Sequence, residues 1–146
     1  MLKEAFYDVY LFCEVYYTYY YLYAGQPEQA HKNLVNAGKL LNGNTFFLYR
    51  VLYYDAYAAY FRACKAYDRA LAKIDSTIIL LQEDFNSNYI HQKLTKADLL
   101  AEAGRSAEAI PLYIETLHLK DSIETTVLDK QMQQIKACLL YTSDAA

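Results

Sequence analysis

The sequence predicts an all-α fold built from repeated helical hairpins. Three alanines, Ala30, Ala70 and Ala109, each follow a short turn, and they are separated by 40 and 39 residues. Hydrophobic residues make up 55% of the 146-residue chain, and the four glycines and two prolines leave few positions that interrupt a helix. A fixed period of this length, with apolar side chains at helical spacing, is typical of stacked helix pairs.

The first hairpin is predicted over residues 3–41. Apolar side chains recur every three or four positions in residues 3–23, which indicates a helix. Gly25 can adopt the left-handed conformation that ends a helix, and Pro27 is favourable just inside the start of the next one. The second helix is expected to run to about residue 41.

The second hairpin is predicted over residues 45–82, with a long helix to about residue 64 and its partner over 67–81. Its turn has no glycine, because Lys65 stands where the first hairpin has Gly25. We therefore expect this turn either to be strained or to be of another type.

The third hairpin is predicted over residues 88–120, with its turn at Gly104. The run D-S-I-E at residues 121–124 has the form of a capping box, which opens a new helix. We therefore expect the preceding helix to end near Lys120. A further helix over residues 121–137 is expected to cover the exposed end of the third hairpin.

The last residues, 138–146, read C-L-L-Y-T-S-D-A-A and resemble the translation of a sequencing adapter joined to a truncated open reading frame. We predict that this tail is not native and that the natural protein continues past about Lys136. The alternative is an ordinary frayed tail.

The repeats resemble the tetratricopeptide repeat (TPR) family, which has two antiparallel helices per unit, glycine at the turn, and alanine then an aromatic residue in the second helix. The family tryptophan is absent, Lys65 replaces a glycine, and Thr18 stands where a small apolar residue is usual. The resemblance implies a right-handed superhelix of about three hairpins plus the covering helix, acting as a protein- or peptide-binding module. The third repeat matches best, through Ala97, Leu100, Gly104, Ala109 and Tyr113.

A narrower resemblance covers residues 103–124, which are similar to the last repeat in the sensory regions of Bacteroidetes two-component kinases and related regulators. In those proteins the repeats are followed by a helical connector, a membrane span and an output domain. The resemblance implies an alternative function, the input region of a membrane-bound signalling protein whose output domain is missing from this sequence. The input region would then be periplasmic, whereas a free-standing adaptor would be cytoplasmic.

The residue pattern does not indicate an enzyme. We predict no catalytic, cofactor-binding or metal-binding residues. The glycines are isolated, so no phosphate-binding loop is present, and the three histidines do not pair with cysteines or carboxylates at metal-ligand spacing. The three cysteines lack C-x-x-C spacing. We predict that Cys13 and Cys64 are small core residues.

Charge and hydropathy exclude two classes of partner. The formal net charge is −3 and no basic stripe is present, so nucleic acid is not an expected partner. The most apolar stretch, residues 5–24, contains Asp8, Glu14 and the hydroxyls of eight tyrosines, so we expect no membrane contact by this segment. The oligomeric state stays open.

Tyrosine is the one residue type in excess, with 17 in the chain and eight of them before Gly25. Two interpretations stay open: the rings pack between helices, or they form an adaptable binding face on the inner side of the superhelix. Helical phase places six residues on the inner side of the first helices of the hairpins. These candidate partner-binding residues are Tyr19, Tyr23, Asp55, Arg62, His91 and Asp98.

Overall fold

The computed structural model describes residues 2–82 and 87–144, and the side chains of residues 6–82 and 87–142. All regular secondary structure in these residues is α-helical, which confirms the predicted fold class. The helices are α1 (Leu2–Tyr23), α2 (Pro27–Leu40), α3 (Phe47–Ala63), α4 (Tyr67–Leu81), α5 (Ser87–Glu102) and α6 (Ser106–Asp144).

The helices pack as three consecutive hairpins, α1 with α2, α3 with α4, and α5 with α6. The first hairpin contacts the second through α3, which packs on both α1 and α2, and the second contacts the third through α4 and α5. Each hairpin therefore packs on its neighbours along the chain, as repeat proteins do.

The alanines that define the repeat are buried. Ala30, Ala70 and Ala109 are 0%, 0% and 1% exposed. Ala70 and Ala109 belong to one hydrophobic cluster that joins the second and third hairpins, together with Ala58, Leu71, Ile74, Leu99 and Leu100. A second cluster joins the first and second hairpins and consists of Leu11, Val15, Leu34 and Ala56.

The three hairpin turns share one backbone geometry. The residue that ends the first helix has a positive φ in each, 71° at Gly25, 58° at Lys65 and 78° at Gly104. At Lys65 the backbone N–H donates to the carbonyl of Arg62 at 3.0 Å, and the N–H of Ala66 donates to the carbonyl of Phe61 at 2.8 Å. The glycine turns have the same pair of bonds, which is the Schellman motif. Lys65 therefore occupies a strained version of the same turn.

Lys65→Gly is expected to stabilise the chain by about 0.5–1 kcal/mol, because a left-handed non-glycine residue costs about 1–2 kcal/mol and the added chain entropy of glycine offsets part of the gain. The reciprocal change, Gly104→Lys, is expected to destabilise it by about 1–2 kcal/mol, since no atom lies within 4 Å of the added Cβ and the cost is the backbone strain. Thermal melts measured by circular dichroism check both. Equal melting temperatures for all three proteins would contradict the strain at Lys65.

The predicted break near Lys120 is wrong, and so is the separate helix beginning at Asp121. α6 is one helix from Ser106 to Asp144. No glycine or proline follows Pro111, so no residue interrupts the helix. The capping-box residues stay inside it: the hydroxyl of Thr126 donates to the Ser122 carbonyl at 2.9 Å, as expected within a helix.

The second half of α6 does not cover the third hairpin as predicted. Leu119 is packed against the small cluster of Val51, Leu81 and Tyr89. Beyond it the helix projects for about 36 Å, at 1.5 Å per residue. Its apolar side chains stay exposed: Val127, Leu128, Met132 and Ile135 are 48–60% exposed, and Leu139, Leu140 and Tyr141 are 66–80% exposed. The helix runs through Asp144, residues 145–146 lie outside the described part, and the foreign origin of the tail stays a prediction.

The prediction that Cys13 and Cys64 lie in the core is also wrong. All three cysteines, including Cys138, are exposed. Cys13 lies on the side of α1 opposite Leu11 and Val15, which are the buried residues of that helix turn. Cys64 follows the last residue of α3 and forms part of the exposed turn.

Candidate functional site

A groove of about 690 Å³ lies between the first helices of the three hairpins. Side chains from α1, α3 and α5 form its walls, and Ile74 of α4 contributes to its floor. The floor is apolar, and its residues are Leu22, Ala58, Ala59, Ala63, Ile74 and Leu99. Because Ala58, Ile74 and Leu99 are each less than 4% exposed, the floor is part of the core and is held rigidly.

All six candidate residues from the sequence line this groove. Tyr19 and Tyr23 are one helical turn apart on α1, and the other four form two pairs that are each seven residues, or two turns, apart. The pairs are Asp55 with Arg62 on α3 and His91 with Asp98 on α5. The structure therefore brings residues from three helices together at one concave surface; whether they bind a partner is a separate question.

Asp55 is the centre of a polar network that connects four helices. It accepts a hydrogen bond from the hydroxyl of Tyr19 on α1 and another, at 2.9 Å, from the side-chain amide of Gln92 on α5. The Gln92 carbonyl oxygen accepts at 3.1 Å from the hydroxyl of Thr77 on α4. Gln92 and Thr77 are 5% and 0% exposed, so their polar atoms need partners inside the protein; the Ile74 carbonyl, at 2.7 Å, is a second acceptor for the Thr77 hydroxyl. Asp55 is therefore mainly a structural residue of the groove.

Two further carboxylates belong to α5: Asp98 lines the groove, and Glu102 follows it one helical turn later. Arg62 donates from Nε to Oε2 of Glu102 at 3.0 Å and from Nη2 to Oε1, and this bidentate pair connects α3 to α5. The hydrogen bond to Glu102 raises the pKa of Arg62. Asp98 accepts a hydrogen bond from the hydroxyl of Tyr113, and that bond raises the pKa of the Tyr113 phenol.

The groove carries an excess of negative charge. Asp55 and Asp98 line it as two carboxylates, whereas its one lining guanidinium, Arg62, is already paired with Glu102 outside the lining. At the rim, His91 is exposed and Tyr23 is 96% exposed. A cationic group entering the groove would meet carboxylates and an aromatic ring, which is the combination that binds guanidinium and ammonium groups.

The sequence interpretation missed Thr77, Gln92, Glu102 and Tyr113. The first two had a readable signal, since each is a polar residue within an otherwise apolar buried stripe. On α4 that stripe includes Ile74 and Leu81 around Thr77. A polar residue in such a position needs a buried partner, and the partner is the Asp55 network.

Alkaline pH is expected to weaken the fold through two tyrosines. Burial and then the Asp55 carboxylate raise the pKa of Tyr19, and burial with the neighbouring phenols of Tyr57 and Tyr54 raises the pKa of Tyr53 to about 12. A raised folded-state pKa means that the unfolded chain releases the proton more readily. The stabilisation is therefore complete below about pH 10, the pKa of a free phenol, and is lost as the pH rises above it.

Melting temperatures measured from pH 8 to pH 12 check this expectation. They should be level up to about pH 10 and then fall. Tyr19→Phe should make the fall shallower, whereas Tyr23→Phe, at the exposed rim, should leave the slope as it is. Identical slopes for the two variants would contradict a special environment at Tyr19.

No group of three or more histidine, cysteine, aspartate or glutamate side chains in the described part of the chain could hold a metal ion. No helix among the same residues is long and apolar enough to cross a membrane.

Comparison with solved structures identifies the fold. The chain is similar to a TPR-like protein from Chlorobium tepidum, known from a crystal structure at 2.54 Å resolution, with a TM-score of 0.61. The match covers 82% of each chain at 19% sequence identity, so it shows a shared fold. No protein-family model matches the chain, and a search of the curated proteins finds no match either. The chain therefore has a TPR-like helical-repeat fold, as the sequence predicted.

Proposed function

We propose that this chain is a scaffold module that binds a protein or peptide segment in the groove between α1, α3 and α5. The observation that carries the proposal is the groove itself, which has a rigid apolar floor and a rim of polar and aromatic side chains from three helices. TPR-like repeats are typically not catalytic, and a concave face of this kind suits binding. Tyrosine at the rim offers contact area at a small cost in side-chain entropy.

The charge of the groove favours a segment that contains a basic side chain. Two carboxylates, Asp55 and Asp98, line the groove, and its one guanidinium, Arg62, is already paired with Glu102. Asp98 lies at the rim with its Oδ1 atom bonded to Tyr113, and among the described side chains no hydrogen bond reaches its other oxygen. We propose that this oxygen accepts from a lysine or arginine of the partner, while Tyr23 lies against its aliphatic stem.

Peptide binding measured by fluorescence anisotropy tests the proposal. The probes are two labelled peptides of equal length, one alternating lysine with alanine and the other alternating glutamate with alanine. The lysine peptide should bind, and its affinity should fall as salt is added. Asp98→Asn and Tyr23→Ala should each weaken binding about fivefold or more, corresponding to about 1 kcal/mol. Asp98→Asn keeps the oxygen that accepts from Tyr113, so the fold should be retained.

Asp129→Asn is the matched control, because it removes one carboxylate from an exposed position on the projecting part of α6, far from the groove. It should bind the lysine peptide as the unmodified chain does. Equal binding of the two peptides, or equal losses in the Asp98→Asn and Asp129→Asn variants, would reject the groove as the site.

A sensory input region is the second candidate, and the projecting part of α6 favours it. An uninterrupted helix that leaves the repeats with an exposed apolar side suits a connector that transmits a conformational change to a following domain. The sequence of the surrounding gene decides this question. A hydrophobic span followed by a kinase or DNA-binding domain would support the sensory proposal, and a stop codon directly after the repeats would contradict it.

A further inference from the structure

The outward side of α1 presents a continuous apolar stripe. Its large side chains are 52–67% exposed, and Cys13 at its centre is exposed as well. The stripe lies opposite the buried residues Leu11 and Val15, and it is separate from the groove. We call it the α1 stripe, and it consists of Phe6, Val9, Tyr10, Cys13, Tyr16, Tyr17 and Tyr20.

The residues of α3 that are equivalent to the α1 stripe pack against another helix. One repeat later, 40 residues along, Val9, Cys13, Tyr17 and Tyr20 correspond to Tyr49, Tyr53, Tyr57 and Tyr60 of α3. Tyr49, Tyr57 and Tyr60 pack against the core of the first hairpin, and the ring of His31 on α2 stacks on Tyr60 with centroids 5.1 Å apart. These positions are therefore the ones by which a helix of this type docks on another helix.

The α1 stripe is also complementary to itself. Phe6, Cys13 and Tyr20 are spaced by seven residues, as are Val9 with Tyr16 and Tyr10 with Tyr17. A seven-residue apolar repeat favours side-by-side helix packing at a shallow angle. The pattern is symmetric about Cys13, so an antiparallel second copy would place Phe6 against Tyr20, Val9 against Tyr17 and Tyr10 against Tyr16.

Charge presents no obstacle to such packing. The charged residues between Phe6 and Tyr20 are Asp8 and Glu14, and neither lies on the stripe. Glu14 faces α2, where it accepts from the side chain of Asn33 at 2.7 Å, and Asp8 is half-buried. Two stripes can therefore meet without desolvating a charged group.

The area is sufficient for a stable pair. With about 150–250 Å² per aromatic side chain, of which somewhat more than half is exposed, the stripe offers on the order of 700 Å². That value is near the roughly 800 Å² that each partner contributes to a standard interface. It also exceeds the patch of about 300–600 Å² that is usual on a monomer.

We propose that the α1 stripe is a homodimer interface, in which the α1 helices of two copies pack antiparallel around a two-fold axis near Cys13. An isologous contact of this kind closes on itself and gives a dimer rather than a filament. The inner groove, on another side of α1, stays open in both copies.

Cross-linking tests the position of the axis. A variant with Cys64→Ser and Cys138→Ser keeps Cys13 as its single thiol, and a short bismaleimide should link two copies of it in high yield. A matched variant with Cys13→Ser and Cys138→Ser keeps the exposed Cys64 and should give little linked product. Equal yields from the two variants would overturn the proposal.

Light scattering coupled to size-exclusion chromatography tests whether the α1 stripe forms the dimer interface. The unmodified chain should elute with twice the mass of one copy. Tyr17→Glu should raise the dissociation constant at least tenfold, because it places two carboxylates in the apolar interface. Ile110→Glu, at a position on α6 that is 57% exposed and outside the stripe, should leave the mass unchanged.

Circular dichroism melts show whether each variant is folded. A monomeric mass for the unmodified chain at about 100 µM, or a dimer that withstands Tyr17→Glu, would overturn the proposal. The groove proposal would be unaffected by that result, since its readout is peptide binding.

Discussion

Ile74→Ala is expected to lower the free energy of unfolding by about 2–5 kcal/mol. Ile74 is completely buried, it belongs to the cluster that joins the second and third hairpins, and it also forms part of the groove floor. Removing three methyl or methylene groups there leaves a cavity that Leu99 and the neighbouring alanines cannot fill. Since small domains have only about 5–15 kcal/mol of stability, this is a large fraction of the total. Urea denaturation followed by circular dichroism measures the change.

Ile79→Ala is the matched control, because Ile79 lies on the same helix and is 64% exposed. This variant should lose almost none of its free energy of unfolding, since alanine has a higher helix propensity than isoleucine and little packing is removed. If the two variants had the same urea midpoint, the assignment of the buried side of α4 would be wrong. A parallel loss of peptide binding in Ile74→Ala alone would connect the rigidity of the floor to the function proposed for the groove.

Local signals in the sequence predicted most of the hairpin architecture. Gly25 and Gly104 identified two turns through their backbone freedom, and Pro27 identified a helix start. Each of these signals depends on residues close together in the chain. The turn of the second hairpin, at Lys65, could be located only from the repeat spacing, because lysine carries no turn signal of its own.

The residues that line the groove were also predictable from a local signal in the sequence. Helical phase is a local property, so it could place residues such as Asp55 and Arg62 on one side of α3 without knowledge of the neighbouring helices. It could not predict that Gln92 bonds to Asp55 or that Glu102 bonds to Arg62, because those contacts depend on how α5 packs beside α3.

The errors arose where a local pattern required tertiary context. The capping box at residues 121–124 is a valid helix start only if the chain turns there, and α6 continues because no residue breaks it. The position of Cys13 depended on which side of an aromatic helix is buried. With rings on every side of α1, composition could not decide this, and the packing of α2 and α3 on Leu11 and Val15 did.

Ala109→Leu is expected to destabilise the chain by about 1–3 kcal/mol, which in a chain of this size corresponds to a lower melting temperature by roughly 3–10 °C. Ala109 is 1% exposed and lies in the cluster with Ala58, Ala70 and Leu99, where the helices of neighbouring hairpins approach closely. A leucine there has no room, so the helices must separate or the side chain must adopt a strained rotamer. Ala107→Leu, two residues earlier on the exposed side of the same helix, should change the melting temperature little. Equal melting temperatures for the two variants would mean that Ala109 is not at the close contact, and the alignment of Ala30, Ala70 and Ala109 as one repeated position would then be wrong.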